Sequence, residues 1–427
     1  MTQHRTPPFL AFLAILAIAV VGIAQQSATE APAGFDTPTL GQNPGSQSVS
    51  NGIPEPPGDT FALDQQRFER RNGVDDGLGP VFTATACADC HQNPVTGGPS
   101  QITEIRAGHL DANGTFVNAT ISINDGANTI GGRSIVDDRA ICAEAHEQLP
   151  DSENIRALRA VLNTLGDGFV EAIDDNTLLT IAANQAQNTH GRIHGEAVQV
   201  PVFEAPGQTG VGRFGWKDQH RSLLSFSADA YLNEMGITSR LRPKDATTVC
   251  KTTTDPEDQP DTLGLADIDH FTQFIRGTKV PPRDVPLAAT PDAQAGQMLF
   301  GKVGCATCHV PWIVTAPAGT VVNGGNFVVP DALGNKVIHP YGDFLLHDVG
   351  TGDGIVQGGP ADTINKLRTP PLWGLRTKTR FMHDLKSESV TEAINRHRGE
   401  AREVIENFHE GLSPAQQQQV LKFLKSL

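Results

Sequence analysis

Two segments of this chain carry the pattern Cys-x-x-Cys-His, residues 87–91 (CADCH) and residues 305–309 (CATCH). The pattern is the attachment signal for c-type haem, because two thiols can add to the two vinyl groups on one porphyrin edge while the adjacent histidine reaches the iron. A redox or zinc-binding cysteine pair followed by a chance histidine is the alternative. Two copies use four of the six cysteines, so the chain must fold around two covalently bound haems. The predicted attachment residues are Cys87, Cys90, His91, Cys305, Cys308 and His309.

The N-terminus and the net charge indicate where the chain works. An apolar stretch from Phe9 to Ile23 follows Arg5, and small residues end it at Ala24, as in a cleavable secretory signal. We predict that residues 1–24 are removed and that the protein is periplasmic, without stable membrane insertion afterwards. An uncleaved anchor is the alternative, although the stretch is short for a bilayer span. The net charge of −15 argues against a nucleic-acid partner.

Composition and proline positions divide the remaining chain. Residues 25–58 are rich in Gly, Pro and Ser, which predicts a flexible tether. The pair Pro281-Pro282 indicates a domain boundary, with an N-terminal haem domain over residues 59–284 and a C-terminal one over residues 285–427. We expect a mainly α-helical fold of two cytochrome c-like haem domains, the first elaborated with short β-hairpins.

Local patterns place individual elements within these domains. Apolar spacing predicts helices over residues 153–165 and 223–235, and alternation over residues 121–123 predicts a strand. In the second domain, Thr290 and Ser413 are each followed by proline, as at a helix N-terminus. A helix that precedes the second haem motif and a terminal helix packed against it are typical of cytochrome c.

The two other cysteines, Cys142 and Cys250, lie between the haem motifs. In an oxidising compartment such a pair often forms a disulfide. At this point a disulfide and two separate buried thiols both remain open.

The sixth iron ligands are less directly encoded than the attachment residues. Along residues 390–397 apolar side chains recur at helical spacing and place His397 on the buried stripe, so we predict it as the sixth ligand of the second haem. Met382 and His383 are the alternatives, and a histidine held by a core hydrogen bond is the non-ligand reading. For the first haem, His109 is a candidate. If His109 does not bind, that iron keeps the open position that a reactive haem requires.

Longer segments resemble the di-haem oxidoreductase family, also labelled thiol-oxidoreductase-like. That family is related to bacterial di-haem cytochrome c peroxidases and to the di-haem enzyme that matures methylamine dehydrogenase. The resemblance covers the whole mature chain. The segments that carry it are residues 76–98 (DGLGPVFTATACADCHQNPVTGG), 212–238 (GRFGWKDQHRSLLSFSADAYLNEMGIT), 341–350 (YGDFLLHDVG), 368–374 (RTPPLWG) and 382–401 (MHDLKSESVTEAINRHRGEA).

The resemblance implies roles for particular residues. Trp216, which opens WKDQHRSL, matches a tryptophan that lies between the two haems, and Glu234 matches a glutamate over the first haem. His397 falls where the peroxidases have methionine, and a bis-histidine haem has a lower potential. His109 lies in an Ala-Gly-His stretch similar to the peroxidases' Ile-Gly-His ligand segment, with a two-residue length difference. Some relatives bind Ca²⁺ between their domains, so a calcium site stays open.

The function that the resemblance implies is reduction of hydrogen peroxide with electrons from a small periplasmic cytochrome c or copper protein. The first haem would be catalytic, and the second would accept and store electrons. Two alternatives remain: an oxidase or oxygenase that acts on a protein or an organic substrate, and a non-enzymatic electron-transfer cytochrome.

Overall fold

The computed structural model describes residues 27–34 and 49–427; the predicted signal over residues 1–24 and part of the predicted tether lie outside them. The α-helices in the described residues are α1 (Phe61–Glu69), α2 (Cys87–Cys90), α3 (Asp167–Glu171), α4 (Asp175–Asn188), α5 (Leu223–Met235), α6 (Asp267–Gly277), α7 (Val285–Ala288), α8 (Pro291–Val303), α9 (Val390–Arg396), α10 (Arg402–Glu410) and α11 (Pro414–Leu424). The strands are β1 (Thr29–Glu30), β2 (Val81–Phe82), β3 (Thr103–Leu110), β4 (Phe116–Asn118), β5 (Ile121–Ile123), β6 (Thr129–Ile130), β7 (Ile135–Val136), β8 (Arg139–Ala140), β9 (Glu147–Gln148), β10 (Ile155–Ala160), β11 (Gln199–Pro201), β12 (Thr209–Val211), β13 (Ile313–Val314), β14 (Val321–Val322), β15 (Phe327–Val328), β16 (Lys336–Ile338), β17 (Leu346–His347) and β18 (Leu367–Arg368).

The prediction of a mainly α-helical fold is wrong. Helices make up only 32% of the structure and strands 16%, the latter in many small sheets. The clearest error is the segment 153–165, which contains strand β10 rather than a helix. All six residues of β10 pair with β3 in antiparallel register, from Ile155 opposite Gly108 to Ala160 opposite Thr103. This ladder satisfies the backbone through a distant segment, so tertiary pairing overrides the local apolar spacing.

Other local predictions are confirmed. Helix α5 covers the predicted residues 223–235, and β5 covers residues 121–123. Helix α8 begins after Thr290, whose side chain accepts a hydrogen bond from the Ala293 amide, and α11 begins after Ser413 with a capping box. These elements can be predicted from the sequence because capping and helical periodicity depend on residues only a few positions apart.

The largest apolar core joins residues from both sides of the predicted domain boundary. Phe169 and Phe274, which precede Pro281, belong to the same buried cluster as Ile313 and Phe344. The N-terminal residues also contact later segments, since β1 pairs in parallel with β16. Part of the predicted tether is therefore held in a sheet, while the domain limits themselves remain predictions.

Cys142 and Cys250 form a disulfide across 108 residues of sequence. The four motif cysteines form no disulfide. In the described part of the chain, no helix is both long and apolar enough to cross a lipid bilayer.

Helices α8 and α11 pack closely and support the second haem motif, which follows α8 after Gly304. Their crossing depends on Gly296 in α8, where an added Cβ would lie 1.9 Å from the backbone oxygen of Gln419 in α11. No atom lies within 4 Å of the Cβ position of Gly301 in the same helix. The two glycines therefore differ in packing while sharing one helix.

We predict that Gly296→Ala destabilises the protein and that Gly301→Ala does not. The first substitution overpacks a helix crossing, at a cost of at least about 1–3 kcal/mol. The second removes an exposed helix-interior glycine and should stabilise by up to about 1 kcal/mol. Thermal unfolding of both variants measures the difference. Equal unfolding temperatures would show that the α8–α11 crossing tolerates a methyl group.

Candidate functional site

The second haem motif faces His397 across a gap of defined size. The ring centroids of His309 and His397 are 6.4 Å apart. Two imidazoles on opposite sides of one metal ion, each with a metal–nitrogen bond of about 2.0 Å, require a separation of this size once the half-widths of the rings are added. The structure thus brings together the two histidines that the sequence predicts at the second iron.

Both rings are oriented by backbone carbonyls. His309 Nδ1 donates to the Tyr341 oxygen at 3.0 Å, and His397 Nδ1 donates to the Ala393 oxygen at 2.8 Å. This leaves each Nε2 free to bind a metal, which is the usual arrangement of ligating histidines. Burial lowers the pKa of His309 to about 4, so its ring is neutral and able to coordinate.

His397 reaches its position at the end of α9 rather than inside it. The helix stops at Arg396, and His397 has extended backbone angles as its C-cap. At the other end, Ser389 accepts a hydrogen bond from the Glu392 amide at 3.1 Å. The short capped helix therefore presents the histidine toward the second motif.

Both rings line a cavity of about 500 Å³. Cys305 and Cys308 line it on one side, and Val404 and Leu424 contribute to its largely apolar wall. Two free thiols, two facing imidazoles and an apolar enclosure are the donor set and environment of a c-type haem. The residues present at the second motif therefore fit that group.

Beside the second motif, His347 forms a buried ion network that the sequence analysis did not identify. Its Nε2 lies 2.9 Å from an Asp343 oxygen, and its Nδ1 lies 2.9 Å from a Glu400 oxygen and 3.8 Å from Cys308 Sγ. Burial alone would lower the pKa of His347. The neighbouring Asp343 carboxylate has the opposite effect, and the net pKa lies well above its usual value. The available signal was the pair Asp343 and His347, which stand four residues apart within the matching segment 341–350.

The first motif lies against the end of helix α5. The amides of Thr83 and Ala84 donate to the backbone oxygen of Glu234 at 2.7 and 3.0 Å. This fastens α5 to the loop that leads into Cys87. Burial raises the pKa of the Cys87 and Cys90 thiols, and the Glu234 carboxylate raises both further. Glu234 is thus close to the first motif, and its position over a haem there stays a prediction.

Glu234 forms a pair with a second carboxyl group, Glu104, which the sequence analysis missed. Burial and the neighbouring Glu104 raise the pKa of Glu234 well above its usual value. Burial also raises the pKa of Glu104, but its ion pair with Arg106 outweighs this and leaves the pKa low. Glu104 and Arg106 stand two residues apart and therefore share one face of β3. The sequence does not predict this face, because the sheet partner β10 was predicted as a helix.

His109 lies on the opposite face of β3 from Glu104 and Arg106, because strand side chains alternate. Its Nδ1 is 2.8 Å from a Glu153 oxygen, which gives the ring a structural partner. The structure therefore does not bring His109 together with Glu234.

Trp216 lines the same cavity as His309 and His397. Its indole Nε1 donates to the Ala160 oxygen at 2.7 Å, and its ring meets His383 edge to face at 6.0 Å. Two residues beyond Ala160, the backbone of Leu162 lies beside His91 of the first motif. Trp216 thus lines the cavity at the second motif. Its hydrogen-bond partner Ala160 belongs to a segment that continues to the first motif.

Lys217, the residue after Trp216, belongs to a buried ion triad that holds this segment in place. Lys217 Nζ and Arg159 Nε lie 3.0 and 2.7 Å from the two oxygens of Asp353. All three side chains are almost fully buried, and removing one partner of such a set leaves an uncompensated charge. The triad joins β10, the Trp216 segment and the loop around Asp353.

Comparisons with known proteins show a family for this chain. Residues 139–427 match the family described as "Di-haem oxidoreductase, putative peroxidase", and no curated protein matches the chain. Among solved structures, a hydrazine synthase from Kuenenia stuttgartiensis has 13% identity and a TM-score of 0.34, covering 93% of this chain and 99% of that chain. A MauG-like protein associated with microbial copper homeostasis has 19% identity and a TM-score of 0.25, covering 38% of this chain and 52% of that chain.

We predict that His397→Ala changes the spin state of one haem in the purified protein. Loss of the ring that faces His309 should convert a low-spin signal into a high-spin or water-bound one in absorption and EPR spectra. His383→Ala is the matched control, because His383 lines the same cavity but contacts Trp216. A spectrum changed by His383→Ala and not by His397→Ala would transfer the ligand role to His383.

Proposed function

We propose, because this chain belongs to the di-haem oxidoreductase, putative peroxidase family, that it is a periplasmic c-type di-haem oxidoreductase that reduces hydrogen peroxide to water. Its electrons would come from a small cytochrome c or copper protein. The observation that carries the proposal is the difference between the two motif sites. One has a facing pair of histidines, and the other has a histidine beside a buried carboxyl pair.

This difference supports a division of roles. At the second motif, His309 and His397 would occupy both axial positions, which suits electron storage. A histidine in place of methionine gives a lower potential, so the second site would be a stronger reductant than its peroxidase counterpart. At the first motif, Glu234 and Glu104 provide groups that can move protons.

Peroxide reduction consumes two electrons and two protons for each molecule and yields two waters. The two haems, when bound, would supply the electrons and the site at which the O–O bond breaks. Glu234 would accept a proton from the near oxygen of peroxide and return it to the far one, so that water leaves. Because its pKa is raised by burial and by Glu104, the carboxylate form that accepts this proton becomes more populated as the pH rises, and Arg106 holds Glu104 in place.

Trp216 would carry electrons between the two sites. An indole is among the more easily oxidised side chains, and Trp216 lies in the wall of the second haem cavity with its Nε1 bound to Ala160. A carbonyl partner cannot accept the indole proton as a base. The hydrogen bond therefore orients the ring without removing its proton.

A second candidate function is oxidation of an organic substrate. A polar cavity of about 410 Å³ lies beside Arg106, and Asn233 and Arg242 line it. Asn233 is the residue before Glu234, and the volume exceeds what hydrogen peroxide needs. Rapid turnover of peroxide with a reduced small cytochrome favours the first function; slow turnover with consumption of an added organic reductant favours the second.

We predict that both haems stay on the polypeptide after denaturation in acid acetone. Thioether bonds from the four motif cysteines survive this treatment, whereas coordination bonds alone do not. Replacing Cys87 and Cys90 together with serine should remove one of the two haem equivalents. Recovery of haem in the solvent phase from the unchanged protein would disprove covalent attachment.

We predict that Glu234→Gln slows the reaction with peroxide by about 10²–10⁴-fold, because glutamine keeps the size but cannot transfer the proton. In the unchanged protein the rate should rise as the pH rises through the raised pKa of Glu234, since the carboxylate that accepts the first proton is gained there, and the variant should lack this step. Stopped-flow absorption measures both effects. Glu403→Gln, an exposed substitution, is the control, and a wild-type rate for Glu234→Gln would exclude the assignment.

A further inference from the structure

The cavity at the second motif has basic side chains in its wall and no acidic ones. Arg368, Lys378 and Arg380 line it, all from one stretch of chain, whereas none of its lining residues in the described structure is Asp or Glu. A charge removed from water is costly unless an opposite charge lies near it. The wall therefore has a surplus of positive charge that an anion inside the cavity would offset.

Arg380 does not contribute to this surplus. Its Nη1 lies 2.8 Å from a carboxylate oxygen of Glu388, and both side chains are exposed. A surface pair of this kind is already neutralised and is screened by water. The surplus charge therefore belongs to Lys378 and Arg368.

Lys378 has no anionic partner among the described residues. Within residues 27–34 and 49–427, its ammonium forms no hydrogen bond and no ion pair. Burial, and then the like charge of Arg368, lower the pKa of Lys378 to about 8. The ammonium group thus lies near a second cation, at a place where a carboxylate would stabilise both.

Arg368 is deeply buried and incompletely satisfied. Its side chain is 2% exposed, and Nη1 donates to the Arg213 oxygen at 2.6 Å, but Nε has no hydrogen-bond partner and lies 3.9 Å from an oxygen of Asp218. Burial raises the pKa of Asp218 well above its usual value, and it raises that of Asp167, a second acidic neighbour, to about 7. Both carboxyl groups therefore resist ionisation and are weak counter-charges for Arg368.

We propose that Arg368 and Lys378 bind the propionate groups of the second haem and thereby raise its reduction potential. A haem carries two propionate carboxylates, on the porphyrin edge remote from the vinyl groups that Cys305 and Cys308 would take. Arginine binds a carboxylate as a planar fork and lysine binds it as a point charge. The motif and the two cations would then hold different edges of one porphyrin. This inference rests on the second haem of the proposed function and adds two residues that tune it.

The direction of the effect follows from charge. Ferric haem iron carries one more positive charge than ferrous iron, so anionic propionates favour the ferric state. Cations bound to the propionates offset their charge and favour the ferrous state, which means a higher potential. The two axial histidines, His309 and His397, act in the opposite direction. Arg368 and Lys378 would therefore partly offset the low potential of a bis-histidine haem.

Arg368 also connects the cavity to the tryptophan segment. Its backbone amide donates to the Trp216 oxygen at 2.9 Å, and it pairs with Leu346 between strands β18 and β17. These contacts fix the backbone that carries the guanidinium group. With a propionate bound to Arg368, the propionate edge of the haem would lie beside the segment that carries Trp216.

The test measures the reduction potential of the low-spin haem in the full haem-loaded protein. Lys378→Met keeps the length of the side chain and removes its charge, so the midpoint potential in a spectroelectrochemical titration should fall. The propionate bending bands of the resonance Raman spectrum should shift as well, which a purely structural role would not produce. Lys378→Arg keeps the charge and should retain the potential of the unchanged protein.

Lys386→Met is the matched control, because the Lys386 side chain is 73% exposed, lies 3.8 Å from Asp384 and does not line the cavity. Its potential and Raman bands should equal those of the unchanged protein. An unchanged potential in Lys378→Met, or an equal fall in Lys386→Met, would overturn the proposal. If Lys378→Met loses the second haem, retention of that haem in Lys378→Arg would support the charge contact, and loss from both variants would overturn it. None of these measurements uses peroxide, so the proposed function can fail while the propionate contacts stand, and the reverse.

Discussion

The separation of His309 from His397 is the constraint around which the second half of the structure is arranged. A spacing of 6.4 Å leaves room for one metal ion with short bonds to both rings, and small shifts of either ring would lose one bond. The close α8–α11 crossing at Gly296 fixes the first histidine through the motif that follows α8. Capped helix α9 fixes the second, and two backbone carbonyls set the tilt of both rings.

How much of this could be predicted from the sequence depended on the range over which each signal acts. Neighbours a few residues away determine the caps at Thr290 and Ser413 and the extent of α5. The sequence predicts all three correctly. The strand β10 was not, because its partner β3 lies about fifty residues earlier and no local pattern records that pairing. The error hid Glu104 and Arg106, since a residue's neighbours across a sheet are visible only when the sheet is known.

Two buried charge networks lie at the places where function is proposed. The ion triad of Lys217, Arg159 and Asp353 sits beside Trp216, and the His347 network sits beside Cys308. Desolvating such groups is costly unless each one is paired, so these networks contribute more to a fixed arrangement than to net stability. They hold the tryptophan and the second motif in place without relying on the surrounding apolar core.

The state of the six cysteines bears on how the protein is made. Cys142 and Cys250 form a disulfide, while the other four cysteines form none. A disulfide within either motif would consume the two thiols that haem attachment uses. If haem is joined to them as proposed, biogenesis must oxidise one pair of cysteines while it keeps two other pairs reduced until the porphyrin arrives.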